Sequence, residues 1–330
     1  MQHNKYSFFI GEKIYDIFVT FPKTIRHIVK VHYTLIKFTD MKKTALISVM
    51  ICSIIINLTA CINVNSSENI FSGKRIKGNG VHKELDRGKM EFTAIDTRGS
   101  VDVIISNSTD GAIKVTGDEN LVEYVETYVK DGVLNVHLNN KEIKSFSTRI
   151  GLKVTVPNNG KINGIKASGS SDVKVEGTVI ADNMNISCKG SSDFSGNIKA
   201  EKCQIDCTGS SDFKGNVEAK SCEIDCTGSS DFKGSIETTN LSIRCTGSSD
   251  CNISGKADVC EISMTGSSDF NGYDFTVNKL TCSASGSSNI KITCNEELDA
   301  RAAGSSDIYY RGAPQIKSLH SSGSSDIKNR

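Results

Sequence analysis

Through the second half of the chain, apolar and polar residues alternate in short bursts of fixed length. Cys203, Ile205 and Cys207 are separated by Gln204 and Asp206, and the same beat returns at Cys222, Ile224 and Cys226, at Leu241, Ile243 and Cys245, at Cys260, Ile262 and Met264, at Leu280, Cys282 and Ala284, and at Leu298, Ala300 and Ala302. A period of two sends successive side chains to opposite faces of an extended strand, so each burst predicts a β-strand with one buried face. A second inward position follows at Val173, Phe194, Phe213, Phe232, Cys251, Phe270, Ile290, Ile308 and Ile327. The helical period of about 3.6 residues is absent from this region.

Between the two inward strands stands one word, Gly-Ser-Ser-Asp. It begins at Gly169, Gly190, Gly209, Gly228, Gly247, Gly266, Gly286, Gly304 and Gly323, with Asn289 in place of Asp in the seventh copy, at spacings of 21, 19, 19, 19, 19, 20, 18 and 19 residues. A fixed period of this length marks stacked units, each in contact only with its neighbours. About 19 residues at about 3.3 Å each suffice for one small two- or three-sided coil. The predicted fold class is therefore all-β: a parallel β-solenoid, or β-helix, of about nine coils over residues 158–330, preceded by a smaller hairpin-containing β region over residues 91–157. At about 4.8 Å per rung such a stack is a rod of about 40 Å.

In the 91–157 region, Phe92-Thr93-Ala94-Ile95, Val101 to Ile105 and Ile113-Lys114-Val115 predict strands. Val125 to Lys130 and Val133 to Leu138 predict a hairpin around Asp131-Gly132, a pair favoured by two-residue type I′ turns. Residues 61–90 are polar and glycine-rich without apolar period and predict a flexible tether. Before them, Met41, Lys42 and Lys43 lead into an apolar run from Ala45 to Leu58 that closes on Leu58-Thr59-Ala60-Cys61. The run is short for a membrane span of about 20 residues and reads as a signal peptide over residues 41–60. Its last four residues resemble the lipobox of bacterial lipoproteins, which makes Cys61 the expected acylated lipid anchor. Residues 1–40 would place that export signal inside the chain and read as a non-native upstream extension, with Met41 as the start; the alternative is a small cytoplasmic segment before a transmembrane helix.

Composition agrees with many short strands joined by turns: 28 Gly, three Pro and no Trp. Over residues 61–330 the chain carries 31 basic and 35 acidic side chains, without a basic stripe. A mildly acidic surface of this kind excludes a phosphate-neutralising face, so nucleic acid is not an expected partner.

Taken together, Phe92-Thr93-Ala94-Ile95 with Val101-Asp102-Val103, Gly117-Asp118-Glu119-Asn120-Leu121 leading into Val129-Lys130-Asp131-Gly132, Val154-Thr155-Val156-Pro157, and Ala167-Ser168-Gly169-Ser170 at the head of the repeats resemble the family of the putative auto-transporter adhesin, head GIN domain. The resemblance spans roughly Phe92 to Asp326 and implies a β-helical, non-enzymatic protein of the cell surface or periplasm. No β-barrel translocator follows the repeats, so the auto-transporter part of that description is not expected to carry over.

The repeat sets one candidate chemistry. Asp172, Asp193, Asp212, Asp231, Asp250, Asp269, Asp307 and Asp326 hold one place in successive coils and are expected to form a column. Carboxylates about 5 Å apart repel unless water, hydroxyls or cations intervene. The column reads either as a cation- or ligand-binding ladder or as solvated turns in which Asp and Ser bond local backbone groups. Of the ten cysteines beyond Cys61, Cys188, Cys207, Cys226 and Cys245 share an inward slot with Met264, Ala284 and Ala302, which favours buried thiols over zinc, and over disulfides between stacked neighbours. A β-helical polysaccharide lyase or hydrolase is the alternative to a binding module, but the identical carboxylates offer no singular pair, and His82, His137 and His320 are scattered. No enzyme, cofactor or metal is expected. The expected partners are the membrane, through acylated Cys61, a glycan or an envelope protein, and a second copy of the chain wherever the last coil is not closed by a polar cap at Lys328 to Arg330. A ligand-free structural spacer is the third reading. The expected location is the cell envelope, as an outer-membrane lipoprotein facing the periplasm or the cell surface.

Overall fold

A computed structural model of the protein describes residues 74–107 and 110–330. The proposed extension, signal peptide and Cys61 lie outside the described residues. In chain order the elements are β1 (Lys74–Lys77), β2 (His82–Asp86), β3 (Ala94–Gly99), β4 (Asp102–Ser106), β5 (Lys114–Asp118), the one-turn helix α1 (Glu119–Val122), β6 (Val125–Lys130), β7 (Val133–Leu138), β8 (Ile143–Ser147), β9 (Lys153–Pro157) and β10 (Gly164–Gly169). Seven long strands follow: β11 (Val173–Gly190), β12 (Phe194–Gly209), β13 (Phe213–Gly228), β14 (Phe232–Gly247), β15 (Cys251–Gly266), β16 (Asp269–Gly286) and β17 (Asn289–Gly304). The chain ends with β18 (Asp307–Arg311), β19 (Gln315–Gly323) and β20 (Asp326–Asn329).

This is the parallel β-solenoid that the two-residue alternation predicts. Each long strand runs from one Gly-Ser-Ser turn to the next and pairs in parallel with the strand one coil away, like upon like: Phe213 lies beside Phe194 and Phe232, Ile224 beside Ile205 and Ile243, Cys226 beside Cys207 and Cys245. Within β13 the inward side chains are Phe213, Val217, Cys222, Ile224 and Cys226. The five-residue step from Val217 to Cys222 breaks the alternation and marks a corner. Equivalent residues stack because a slip of one residue would turn the apolar set outward.

The array begins earlier than the repeated word. β10 pairs with β3, Gly169 beside Gly99, and β11 pairs with β4, Val173 beside Val103. Gly99-Ser100-Val101-Asp102 is thus a further turn of the same kind, and the solenoid reaches into the region 91–157 that the repeat count sets apart. Val101 fills the buried slot that a serine takes in later coils, and its carbonyl oxygen accepts the Thr97 hydroxyl at 2.8 Å. Residues 110–163 lie outside the array and cover its first edge: β7 pairs in parallel with β3, β9 with β4, and antiparallel partners β6, β5 and β2 continue the sheet outward. The β6–β7 hairpin turns as its sequence predicts, with Asp131 at φ 53° and Gly132 at φ 76°, the two positive angles of a type I′ turn.

Two packing rules keep the coils congruent. The turn glycines are left-handed; Gly228 has φ 100°, and a Cβ there would sit 2.6 Å from the Gly209 carbonyl oxygen of the neighbouring coil. The residue after each turn and the residue two further on are also correlated. Where the position after the turn is Phe194, Phe213, Phe232 or Phe270, the residue two further on is Gly196, Gly215, Gly234 or Gly272; where it is Val173, Cys251, Ile290 or Ile308, that residue is Val175, Ile253, Ile292 or Tyr310. At Gly272 a side chain would run into the Phe270 ring. At Gly196 it would meet the Val175 side chain, and at Gly215 and Gly234 the carbonyl oxygen of Gly196 or Gly215 in the neighbouring coil, so there the close approach of the coils requires glycine.

Candidate functional site

The Gly-Ser-Ser-Asp turns stack into two polar columns. The inner column is the second serine. Ser211, Ser230, Ser249, Ser268 and Ser288 are fully buried, and each donates its hydroxyl to the carbonyl three residues earlier, as Ser230 does to Thr227 at 3.2 Å. Each of these hydroxyls except that of Ser211 also accepts the backbone N–H of the serine one coil before, as Ser230 does from Ser211 at 3.3 Å. Burial without such partners would cost about 1–3 kcal/mol per hydroxyl.

The outer column holds Asp172, Asp193, Asp212, Asp231, Asp250, Asp269, Asp307 and Asp326, gathered as the repeat predicts, with Asn289 in line and Asp102 at its head. The bonds they make are not local. Asp193 donates its N–H to Oδ1 of Asp172 at 3.0 Å, Asp212 to Asp193 at 2.9 Å, Asp231 to Asp212 at 3.2 Å, Asp250 to Asp231 at 3.0 Å and Asp269 to Asp250 at 2.9 Å. The chain of bonds continues through Asn289 and Asp307 to Asp326. One oxygen of each carboxylate, from Asp102 to Asp307, therefore fastens the next coil. Mutual repulsion persists: burial first, then the neighbouring carboxylates, holds Asp172 and Asp250 above the usual carboxylate range, against the pull of the donated N–H.

The array is identical along its length, so singular chemistry arises where it is interrupted. At the covered end, a recess of about 230 Å³ opens between the first turn and the hairpin, lined by Arg98, Gly99, Ser100, His137, Leu138, Asn140 and Phe146. Arg98 forks onto Asp96, Nε to Oδ1 at 3.0 Å and Nη2 to Oδ2 at 2.5 Å, which raises its pKa further and fixes the guanidinium at the rim. His137 Nδ1 lies 3.0 Å from the Leu138 carbonyl oxygen and 3.7 Å from Glu126. A held guanidinium, an imidazole, an amide and an aromatic ring suit a polar ligand carrying a carboxylate. These residues come from segments far apart in the chain, and only Arg98 stands beside a turn word.

A family model described as putative auto-transporter adhesin, head GIN domain, matches residues 91–216 and again residues 212–314. The chain belongs to that family. Solved structures share the fold of this head GIN protein. A putative lipid binding protein of Parabacteroides distasonis is 23% identical with a TM-score of 0.59, a putative adhesin of Parabacteroides merdae 21% with 0.58, and a putative adhesin of Parabacteroides distasonis 22% with 0.59; each match covers 78% of this chain and 100% of the other. No curated protein matches the sequence. Among the described residues no helix is long and apolar enough to cross a membrane.

The interior of this head GIN solenoid holds ten cysteines, all buried and none in a disulfide among the described residues. Cys188, Cys207, Cys226 and Cys245 stack in register, as their shared slot predicts, and Cys203 stacks on Cys222. Hydrogen bonding with neighbouring thiols first, and then burial, raises Cys222 and Cys251, whereas burial is the leading cause at Cys260. One contact departs from the stacking pattern. Cys245 and Cys251 flank a single turn and bring their Sγ atoms to 3.0 Å, with Cys226 completing a group whose sulfurs all lie within 4.8 Å of one another.

Proposed function

We propose that this protein is an exported, non-enzymatic binding module of the cell envelope, held in the outer membrane by acyl chains on Cys61, whose solenoid presents a ligand seat away from the lipid. The observation that carries the reading is the fastening of the aspartate column: one side-chain oxygen per coil, a carboxylate's in every coil but that of Asn289, is used to hold the next coil. Glycoside hydrolysis uses two carboxyl groups in different environments, one of them with a raised pKa; a column of equivalent groups makes a rigid rod instead. The ligand seat is the recess at Arg98 and His137, and the ligand is an acidic glycan, recognised through its carboxylate. The family's description as an adhesin agrees with this role. Several acyl chains make membrane attachment stable where one is marginal.

Two measurements test the two halves. Mass spectrometry of the protein purified from envelopes is expected to show an N-terminus at Cys61 carrying acyl chains; a soluble protein beginning at Met1 overturns the anchor. Glycan-array binding by the purified chain is expected to select uronic or sialic acids. It should fall about tenfold or more in Arg98→Ala, as loss of a charge-assisted bond implies, and persist in Asp231→Asn. Binding that depends on Asp231 and not on Arg98 moves the ligand to the aspartate column.

A further inference from the structure

The position after the turn carries Phe in four coils, and the rings stack: Phe194 on Phe213 with centroids 4.9 Å apart and 14° between planes, Phe213 on Phe232 at 4.8 Å and 4°. The stack stops at Cys251, which takes the register place between Phe232 and Phe270. In the same coil the slot two residues before the turn glycine is Cys245. This is the coil of the array in which the two inward residues facing each other across a turn are both cysteines. Both are fully buried, with Sγ atoms 3.0 Å apart.

We propose that Cys245 and Cys251 form a disulfide that closes the turn Thr246 to Asp250 as a covalent clasp in mid-rod. The stacked thiols are poor candidates, because in-register neighbours project in parallel and a bridge needs a torsion of about 90° between converging Cβ–S bonds. The transverse pair converges from two strands of one coil. A soft metal ion held by Cys226, Cys245 and Cys251 would place three thiolates in a closed apolar interior, and a neutral disulfide avoids that desolvation.

The oxidant is an external disulfide, of a thiol oxidoreductase or of glutathione. The thiolate of one of the two cysteines attacks it and releases one thiolate; the other cysteine, giving up its proton, then attacks the mixed disulfide at the first cysteine's sulfur and releases the second. The Sγ–Sγ bond forms, two electrons reduce the external disulfide to two thiols, and two protons leave the protein. Because both side chains are sealed in the folded rod, exchange takes place while the coil is still open.

Trypsin cuts after Arg244 and Lys256, so one peptide, Cys245–Lys256, carries both sulfurs. The full chain is unfolded under reducing conditions, refolded with reduced and oxidised glutathione, and alkylated in guanidinium before mapping. The expected result is that this peptide carries no alkyl group and is two hydrogens lighter than its dithiol, while Cys226 is alkylated. The oxidised rod should melt several degrees above the reduced one, resist dithiothreitol until guanidinium is added, and lose this redox dependence in Cys251→Ala. Two alkyl groups on the peptide, a bridge from Cys245 to Cys226, or a copper ion retained by the three thiols overturns the proposal. In the cell the proposal rests on the export reading for its oxidant. A clasp that forms on refolding but is absent from protein isolated from envelopes counts against export and leaves the clasp standing.

Discussion

Phe213→Ala is the sharpest probe of the stack. Phe213 is fully buried, with one ring on either side at 4.9 and 4.8 Å. Truncating a buried Phe costs about 3–5 kcal/mol through lost transfer energy and the cavity left behind. Loss of two aromatic contacts, each about 0.5–1.5 kcal/mol, places this site toward the upper end of that range. Phe194 has one ring neighbour in the stack, so Phe194→Ala should cost less by about one such contact. Lys214 points outward, and its partner Asp212 is 3.9 Å away, so Lys214→Ala should change stability by about 0.5 kcal/mol or less. Urea unfolding gives the three values. Because each coil touches only its neighbours, the array can open locally, and hydrogen exchange over residues 213–228 should show protection falling first there. A loss at Lys214 equal to that at Phe213 refutes the inward register. Equal losses at Phe194 and Phe213 refute the ring-stacking part of the reasoning.

Asp231→Asn should be nearly neutral, because Asn289 already holds this place and accepts the Asp307 N–H at 3.3 Å while donating to Asp269 at 3.0 Å. Asp231→Ala leaves the Asp250 N–H without its acceptor and should lower stability by about 1 kcal/mol in urea melts; a loss in Asn as large as in Ala contradicts the hydrogen-bond account. At the covered end, Asp118 accepts the Thr148 hydroxyl at 2.5 Å and the N–H groups of Gly80 and Arg149 at 2.6 and 3.0 Å, with the hydroxyl contributing most to holding its carboxyl down at about 2, from an ordinary 3.8. A folded pKa below the unfolded one favours the ionised form in the fold, so its stabilisation is present above about 3.8 and is lost as pH falls through about 2. Thermal melts between these limits should therefore show a steep acid loss that Asp118→Asn removes, and an unchanged acid slope in the variant counts against it.

Fold class, coil length and the inward direction of the apolar side chains flanking each turn word were legible in the chain, because alternation at a period of two and a word spaced at 18 to 21 residues leave few other ways to bury the apolar set. The pairing of Phe with Gly two residues later was equally open to reading, as a pattern repeated in four coils. Other features were decided only in three dimensions. The turn at Gly99 stands 70 positions before Gly169 and carries Val101 in the serine slot, so it falls outside the spacing, and only pairing with β10 makes it part of the array. Which group each aspartate bonds could not be read either: turns predict local backbone partners, whereas parallel stacking at strand spacing brings the next coil's N–H within reach of every carboxylate. The recess at Arg98 and His137, and the meeting of Cys245 with Cys251, depend on how strands face one another across a coil. Periodicity tells which side chains point inward, and the closed path of the backbone determines which of them meet.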